Sequence, residues 1–195
     1  MSPVSEEWLE DGESKPAPEP LRRIQRLINT AERETGRDRL ATTADAVPWL
    51  VANGLLAPDA TATDDDLRIL VGVRAGLHAL VRQNTDGVVP DPALTAPLHH
   101  VADGELARAA VTADGSVRLA PAGDSVRARL LELLLVVADA QRDGTWQHLK
   151  TCANDDCRWV FYDRSRNHGG TWCDMATCGN KLKNRDFRAR RRTEH

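Results

Sequence analysis

The chain of 195 residues is long enough for one helical domain and a small second unit packed against it. Its formal net charge of −3 hides an uneven distribution: residues 150–195 carry eleven Lys and Arg against six Asp and Glu, a formal +5, and the rest carries fifteen against twenty-three, −8. The most apolar segment, residues 124–142, is interrupted too often by charged residues to span a membrane, namely by Arg127, Arg129, Glu132 and Asp139. We therefore expect no integral membrane protein.

Residues 1–19 are rich in Glu, Ser and Pro and poor in apolar groups, which predicts a disordered tail. Trp8 and Leu9 are the exception, and they are either a docking spot or, as is usual in chain termini, stray apolar residues. The segment has neither a positive n-region nor an apolar h-region, so we expect a cytoplasmic protein with reduced thiols.

Two helices are predicted next. The first closes at Gly36 and is indicated by apolar residues at helical spacing, namely Leu21, Ile24, Leu27, Ile28 and Ala31. On it, Asn29 and Thr30 form a polar pair that either caps or bonds a neighbouring element. The second begins at Thr42 or Thr43 and ends at Gly54, and Pro48 weakens it or delays its start.

A third helix is predicted to begin at Thr63, where three aspartates complement the helix dipole and are better explained as helix-start chemistry than as a metal cluster. Its buried side consists of Leu67, Leu70, Val71, Leu77, Leu80 and Val81. Gly72 and Gly76 weigh against this helix. Arg74 shares the spacing of the apolar stripe, so it either snorkels to solvent or pairs with a buried carboxylate.

The middle of the chain predicts a short helix over residues 95–102 and then a β-hairpin. Asp114 and Gly115 lie between the two β-prone runs of that hairpin, residues 106–112 and 116–119. Residues 124–142 are apolar on nearly every side, which predicts the central helix of a bundle, ended by Gly144. Trp146 and Leu149 then connect this helix rigidly to the cysteine segment.

All four cysteines lie in one C-terminal segment with the pattern C-x4-C, fifteen residues, C-x4-C: Cys152, Cys157, Cys173 and Cys178. Two short pairs joined by such a spacer predict one tetrahedral four-thiolate zinc site, which is structural because four thiolates close the coordination shell. Two disulfides would need an oxidising compartment, and a redox pair would have a shorter spacing. His148 lies close enough to compete for the metal, but the complete thiolate set argues against it.

The residues around the cysteines predict a treble-clef-like finger. Residues 158–162 are mostly bulky and β-prone, residues 167–170 are turn-like, and Thr171 and Trp172 are β-prone again, which indicates a hairpin between the two cysteine pairs. Gly179 and Asn180 can start a helix that continues without Pro or Gly from 181 to 192. For so small a unit the folding free energy comes largely from the metal, about 10–16 kcal/mol in zinc-finger peptides.

This C-terminal helix carries a cationic stripe. At about 100° per residue, four cations lie within about 60° of one another, flanked by Asn184 and Arg191; they are Lys181, Arg185, Arg188 and Arg192. Such a stripe predicts contacts with DNA phosphates or entry into the major groove, with Asn180 and Asn184 as candidates for base edges.

The motifs FYDRSRN at 161–167, WCDM at 172–175 and CGNK at 178–181 resemble the CGNR zinc finger, a bacterial module named for its last cysteine and the residues after it. Residues 27–56, LINTAERETGRDRLATTADAVPWLVANGLL, resemble the start of the helical ABATE domain, which precedes this finger in proteins described as stress-induced transcription regulators. The resemblance implies a transcription regulator of the stress response with one structural zinc.

Two positions depart from the family pattern. Lys181 stands where the motif has arginine, which keeps the charge but loses the bidentate geometry used in base readout. The loop over residues 168–171 also lacks the basic residues that this loop can carry in the family.

The sequence therefore predicts a mainly α fold in three parts: a disordered tail over 1–19, a helical ABATE-like domain with one β-hairpin over 20–148, and a CGNR-type finger with a basic helix over 149–195. The finger would bind DNA, and the helical domain would sense a signal, such as a small-molecule effector, or form a homodimer. One alternative is an adaptor whose zinc module docks an acidic protein surface or RNA, and another is an inert scaffold whose basic run is only a solvated face. An enzyme is the weakest class, because no phosphate loop, nucleophile elbow or spare cysteine is present.

Overall fold

The computed structural model describes residues 8–180, and helices dominate this part of the chain. The helices are α1 (Arg22–Ile28), α2 (Thr43–Ala52), α3 (Asp64–Asp86), α4 (Pro92–Gly104) and α5 (Val126–Asp143). Short antiparallel pairs are formed by β1 (Ala31–Glu32) with β2 (Arg37–Asp38), β3 (Ala107–Val111) with β4 (Val117–Pro121), and β5 (Leu149–Thr151) with β6 (Val160–Tyr162). The predicted mainly α fold is confirmed.

Helix α3 is the central element, because it packs against α1, α2, α4, α5 and β5. It contributes fully buried Leu70, Val73 and Leu77 to a core that also holds Leu130 and Leu133 of α5. Helix α5 was expected at the centre, but it buries one side only and leaves residues 134–136 half-buried. None of the helices within residues 8–180 is long and apolar enough to cross a membrane.

The helix ends follow local capping chemistry. The Thr63 side chain accepts from the backbone N–H of Asp66, and the Asp66 carboxylate accepts from the backbone N–H of Thr63, so a capping box starts α3 where the sequence predicts it. Gly87 and Gly144 adopt left-handed backbone conformations that end α3 and α5. Helix α3 passes through Gly76 without a break. Glycine suits this position because a Cβ there would lie 2.8 Å from Leu98 Cγ of α4.

Helix α1 is shorter than its apolar spacing predicts: it ends at Ile28, and Gly36 (φ 72°) lies in the turn of the β1–β2 hairpin. Long-range contacts decide this difference. The carboxylate of the buried Glu32 accepts from the Arg37 guanidinium, the Thr35 hydroxyl and the backbone N–H of Leu9. Those contacts draw residues 31–38 into a hairpin although Ala31 continues the helical pattern.

The predicted disordered tail is wrong for the part of it that the structure describes, from Trp8 to Glu19. The Trp8 ring lies under the guanidinium groups of Arg37 and Arg39, and the Glu10 carboxylate accepts a 3.0 Å hydrogen bond from the indole N–H of Trp49. Farther along, the carbonyl of Lys15 accepts from the backbone N–H of Tyr162. Specific polar contacts order this segment, which composition alone cannot reveal.

The hairpin expected between the two cysteine pairs does not form within the described residues, because its first strand pairs with a strand that precedes both cysteine pairs. Strand β6 pairs with β5, which precedes the first cysteine, in the register Lys150 with Phe161, and not with Thr171 and Trp172. Leu149, Val160 and Tyr162 of this pair belong to the core of the helices. Trp146, in a 3-10 turn just before β5, lies in the same core, so α5 leads into the cysteine segment through a continuously packed connection.

Two polar positions singled out in the sequence now have partners. The Arg74 guanidinium binds both carboxylate oxygens of Asp38, at 2.6 and 2.7 Å, and donates to the Thr30 hydroxyl at 2.9 Å. Arg74 therefore pairs with a carboxylate, as the second alternative proposes, although Asp38 is half-buried rather than buried. Asn29 bonds a neighbouring element, because its side chain donates to the Val160 carbonyl and accepts from the Val160 N–H.

Candidate metal centre and the segment that follows it

The first cysteine pair lies on a tight turn that begins directly after β5. The backbone N–H of Cys152 donates to the carbonyl of Trp159, and the N–H groups of Cys157 and Arg158 both donate to the carbonyl of Asn154, at 2.9 Å. Arg158 adopts a positive φ of 52° to complete the turn. The sharp reversal brings the two sulfurs to the same side of the chain.

The second cysteine pair is held by Asp174. Its carboxylate accepts from the backbone N–H of Thr177 at 2.8 Å, which starts one turn of π-helix over Met175–Gly179. Gly179 lies so close to its surroundings that a Cβ would be 2.9 Å from Met175 Sδ. Cys173 precedes this turn and Cys178 lies within it, so the turn brings the two sulfurs to 3.7 Å.

The loop between the pairs is ordered by Asp163. Its buried carboxylate accepts from the backbone N–H groups of Ser165 and Gly170, at 3.0 and 2.7 Å, and lies 3.3 Å from the Lys150 ammonium. Burial alone would raise the pKa of Asp163, but these hydrogen bonds outweigh it and lower the pKa to about 2. Asp163 is therefore ionised at any physiological pH and fixes the path of the loop.

The four cysteine sulfurs form one cluster. Every pair of sulfurs lies within 4.8 Å, and the distances from Cys173 Sγ to Cys157 Sγ and Cys178 Sγ are both 3.7 Å. Zinc–sulfur bonds of about 2.3 Å place tetrahedral sulfurs about 3.8 Å apart, so these residues fit one structural Zn²⁺ after movements of about 1 Å or less. The expected set of ligands is thus brought together, and Cys152 and Cys178 are buried.

The acidity of the thiols supports the fit. Hydrogen bonds from the thiols of Cys157 and Cys173, aided by the backbone N–H groups of Cys173 and Asn154, lower the pKa of Cys152 to about 2. The Cys152 thiolate in turn raises the pKa of Cys157 to about 12, and it also raises the pKa of Cys173. The thiols of Cys157 and Cys173 therefore stay protonated beside the Cys152 thiolate, and a divalent cation would supply the charge that holds several thiolates together.

Asn154, Asp163 and Asp174 were not singled out in the sequence, although each holds part of this centre. Asn154 Oδ1 accepts from the N–H of Asp156, and its amide lies 3.7 Å from Cys178 Sγ, so one side chain connects both cysteine pairs. Each of these side chains accepts a hydrogen bond from a backbone N–H two or three residues later in the chain. Asn and Asp often form such local turns, so this preference could have predicted their role from the sequence.

His148 does not compete for the metal. Its ring lies against His168, with 4.0 Å between ring centroids, and edge-on to Tyr162 at 5.7 Å. It is not part of the group of sulfurs that could hold an ion within the described residues.

Of the side chains expected to contact DNA, Asn180 is the one that the structure describes. It is exposed, and its amide donates to the carbonyl of Ala176 at 3.3 Å. The remaining candidates lie outside the described residues, and these are Lys181, Asn184, Arg185, Arg188, Arg191 and Arg192.

Comparison with known families assigns both parts of the chain. A model described as "CGNR zinc finger" matches residues 148–191, which include all four cysteines, and a model described as "Putative stress-induced transcription regulator", ABATE, matches residues 21–143. No curated protein matches the chain. With more than half of its length matched, the chain belongs to the ABATE family and carries a CGNR zinc finger at its C-terminal end.

Proposed function

We propose that this protein is a transcription regulator that binds DNA through the basic segment after its zinc centre. The family description points to transcription, and DNA is the polyanion on which such a regulator acts. The basic C-terminal charge, a formal +5 over residues 150–195, provides the attraction to phosphates that this function needs.

The observation that carries the proposal is the position of the second cysteine pair. Cys178 is buried in the metal centre, whereas Asn180, two residues later, is exposed at the surface. Seven of the next twelve residues, 181–192, are Lys or Arg, and Asp186 is their single acidic residue. Zinc binding would therefore fix the position of Asn180, directly after which the sequence becomes strongly cationic.

The four-thiolate centre also favours binding over catalysis. A catalytic zinc keeps a coordination position open for water or substrate, whereas four sulfurs close the shell. We infer that the zinc is structural, that the protein is not an enzyme, and that the helical domain serves as the sensor or dimerisation unit of the regulator.

The proposal can be tested by fluorescence anisotropy of the zinc-loaded protein with genomic DNA fragments at several salt concentrations. If four cations each neutralise one phosphate, log affinity should fall with log salt at a slope of about −3.6. Changing Arg185, Arg188 and Arg192 together to Ala should weaken binding at least tenfold and flatten the slope to about −0.9.

As a matched control, three exposed arginines of the helical domain are changed to Ala, namely Arg108, Arg118 and Arg142. The affinity of this control for DNA should stay within about twofold of the wild type. Equal affinity of the wild type and the finger variant for DNA, or a flat salt dependence of the wild type, would contradict DNA binding through the basic segment. Either result would instead favour the adaptor, whose basic segment docks an acidic protein surface or RNA.

A further inference from the structure

A cleft of about 270 Å³ lies between helix α3 and the first cysteine turn. Helix α3 lines it with Arg74, His78 and Arg82, and the cysteine turn lines it with Arg158 and Trp159. Because its walls come from both parts of the protein, any molecule held there would touch the helical domain and the zinc finger at once.

The cleft is lined by positive charge. Arginines from three separate segments face it, Arg33, Arg74, Arg82 and Arg158, and the described lining contains no carboxylate. Three of them pair with acids outside the lining: Arg74 with Asp38, Arg82 with Asp86, and Arg158 with Asp155. A guanidinium carries five N–H donors, so these pairs leave donors for an occupant of the cleft.

The surroundings of His78 agree with a cationic cleft. Burial lowers the pKa of His78, and although its Nε2–H donates to the Arg158 carbonyl at 3.0 Å, the charges of Arg33, Arg82 and Arg158 lower the pKa further. The arginines around His78 would likewise attract a negatively charged ligand.

The remaining walls are apolar. Ile28, Ala75, Ala79 and Leu94 line the cleft, and the buried ring of Trp159 adds an aromatic surface whose N–H is already engaged by Glu13 at 2.7 Å. A few convergent polar groups on an apolar wall are typical of sites for small molecules, and this volume is at the small end of such sites.

From this arrangement we infer that the cleft binds a small organic oxyanion, with its carboxylate or phosphate among the arginines and a flat apolar portion against Trp159 and the alanines of α3. The ligand would bridge the helical domain and the zinc finger, since Cys157 itself lines the cleft. Its role as an effector of DNA binding rests on the proposed function, whereas its binding does not.

Isothermal titration calorimetry on the full-length, zinc-loaded protein tests the inference with four probes. Phenyl phosphate and benzoate share a flat ring and differ in the oxyanion, inorganic phosphate lacks the ring, and benzyl alcohol lacks the charge. We expect saturable binding of at least one of the two aromatic anions, at least tenfold weaker binding of inorganic phosphate, and no detectable binding of benzyl alcohol.

Two variants locate the site. The double change Arg33→Gln and Arg82→Gln removes charge from the cleft and should weaken binding of the aromatic anion at least tenfold. Ala75→Phe keeps every charge but fills the cleft from an exposed position on α3, so it should abolish binding without affecting folding. The control double change Arg68→Gln and Arg142→Gln removes two exposed helical arginines elsewhere and should change nothing.

The inference would be overturned if neither aromatic anion bound saturably, if inorganic phosphate bound as tightly as they do, or if the control lost as much affinity as the cleft variants. Retained binding in both cleft variants would also overturn it. Anion binding without any DNA binding would leave this inference standing and defeat the proposed regulator function alone, so the two failures are distinguishable.

Discussion

At the scale of single residues, a few buried polar side chains connect the helical domain to the finger. Asn29, at the end of α1, bonds both backbone groups of Val160 as a neighbouring strand would, at 2.8 and 2.9 Å. Gln25 adds a 3.2 Å bond to the same carbonyl. The position of β6 thus depends on amide side chains of a helix rather than on a longer sheet.

Changing Asn29 to Ala should lower the free energy of unfolding by about 2 kcal/mol, because the buried N–H of Val160 loses its partner whereas the carbonyl keeps Gln25. Urea unfolding of the zinc-loaded protein measures this. Asn53→Ala is the matched control: within residues 8–180 the half-buried Asn53 amide bonds only the local Trp49 carbonyl, so its loss should cost less than about 1 kcal/mol. Equal losses in the two variants would show that Asn29 has no special connecting role.

The Arg74–Asp38 pair gives a pH-dependent prediction. Burial alone would raise the pKa of Asp38, but the hydrogen bonds and charge of Arg74, with the Leu40 N–H, lower it. A carboxyl group with a lowered pKa in the folded state stabilises the protein fully above its unfolded pKa, and this stabilisation is lost as pH falls through the folded pKa.

We therefore expect Asp38→Asn to be less stable than the wild type by about 2 kcal/mol at pH 7, with a gap that narrows as pH falls below about 4. Urea unfolding at pH 7, 5 and 3.5 would show the trend. Asp59→Asn, which removes a carboxylate from an exposed position, should follow the wild type at every pH. If the difference in unfolding free energy between Asp38→Asn and the wild type stayed constant with pH, the ionised Asp38 carboxylate would not be the group that stabilises the fold.

At the scale of elements, the sequence predicted those parts whose causes are local. Thr63 and the glycines at 54 and 144 are adjacent to the helix ends that they determine. The four cysteines likewise predicted their own cluster, because the spacing of metal ligands is a local property.

The elements that the sequence did not predict depend on distant partners. The β1–β2 hairpin requires the Glu32 contacts, the order of residues 8–19 requires Trp49 and Tyr162, and the pairing of β6 with β5 requires Asn29. None of these contacts leaves a periodic pattern in the segment that it orders, so apolar spacing and composition gave the wrong result there.

Gly76 shows how a residue that weighs against a helix can be required by packing. A Cβ at this position would lie 2.8 Å from Leu98 Cγ and 2.9 Å from the Leu94 carbonyl, so glycine sets the close approach of α3 and α4. Gly76→Ala should therefore destabilise the protein by about 1–2 kcal/mol, although alanine in a helix usually adds about 1 kcal/mol of stability. Gly104→Ala, with open space around the new Cβ, should be neutral or stabilising by thermal unfolding. A more stable Gly76→Ala would contradict the close packing.

At the scale of the whole molecule, the boundary between the helical domain and the zinc finger does not coincide with the boundary between their two hydrophobic cores. Leu149, Val160 and Tyr162 belong to the core of the helices, although they flank the first cysteine pair. The metal centre has its own small cluster of Cys152, Trp159 and Cys178. The zinc site is therefore fixed to a surface that the helices already hold in place.

Removing zinc should consequently unfold the cysteine turns while leaving the helices folded, unlike an isolated zinc-finger peptide, which unfolds completely. On chelation we expect nearly all of the circular dichroism at 222 nm to persist, while amide signals of residues 152–180 shift or broaden and those of α3 and α5 remain. Cys173→Ser combined with Cys178→Ser should reproduce this spectrum without chelator, and added zinc should restore only the wild type. Wholesale loss of the helical signal on chelation would mean that the metal, rather than the contacts of β5 with α3 and of β6 with α1, holds the two parts together.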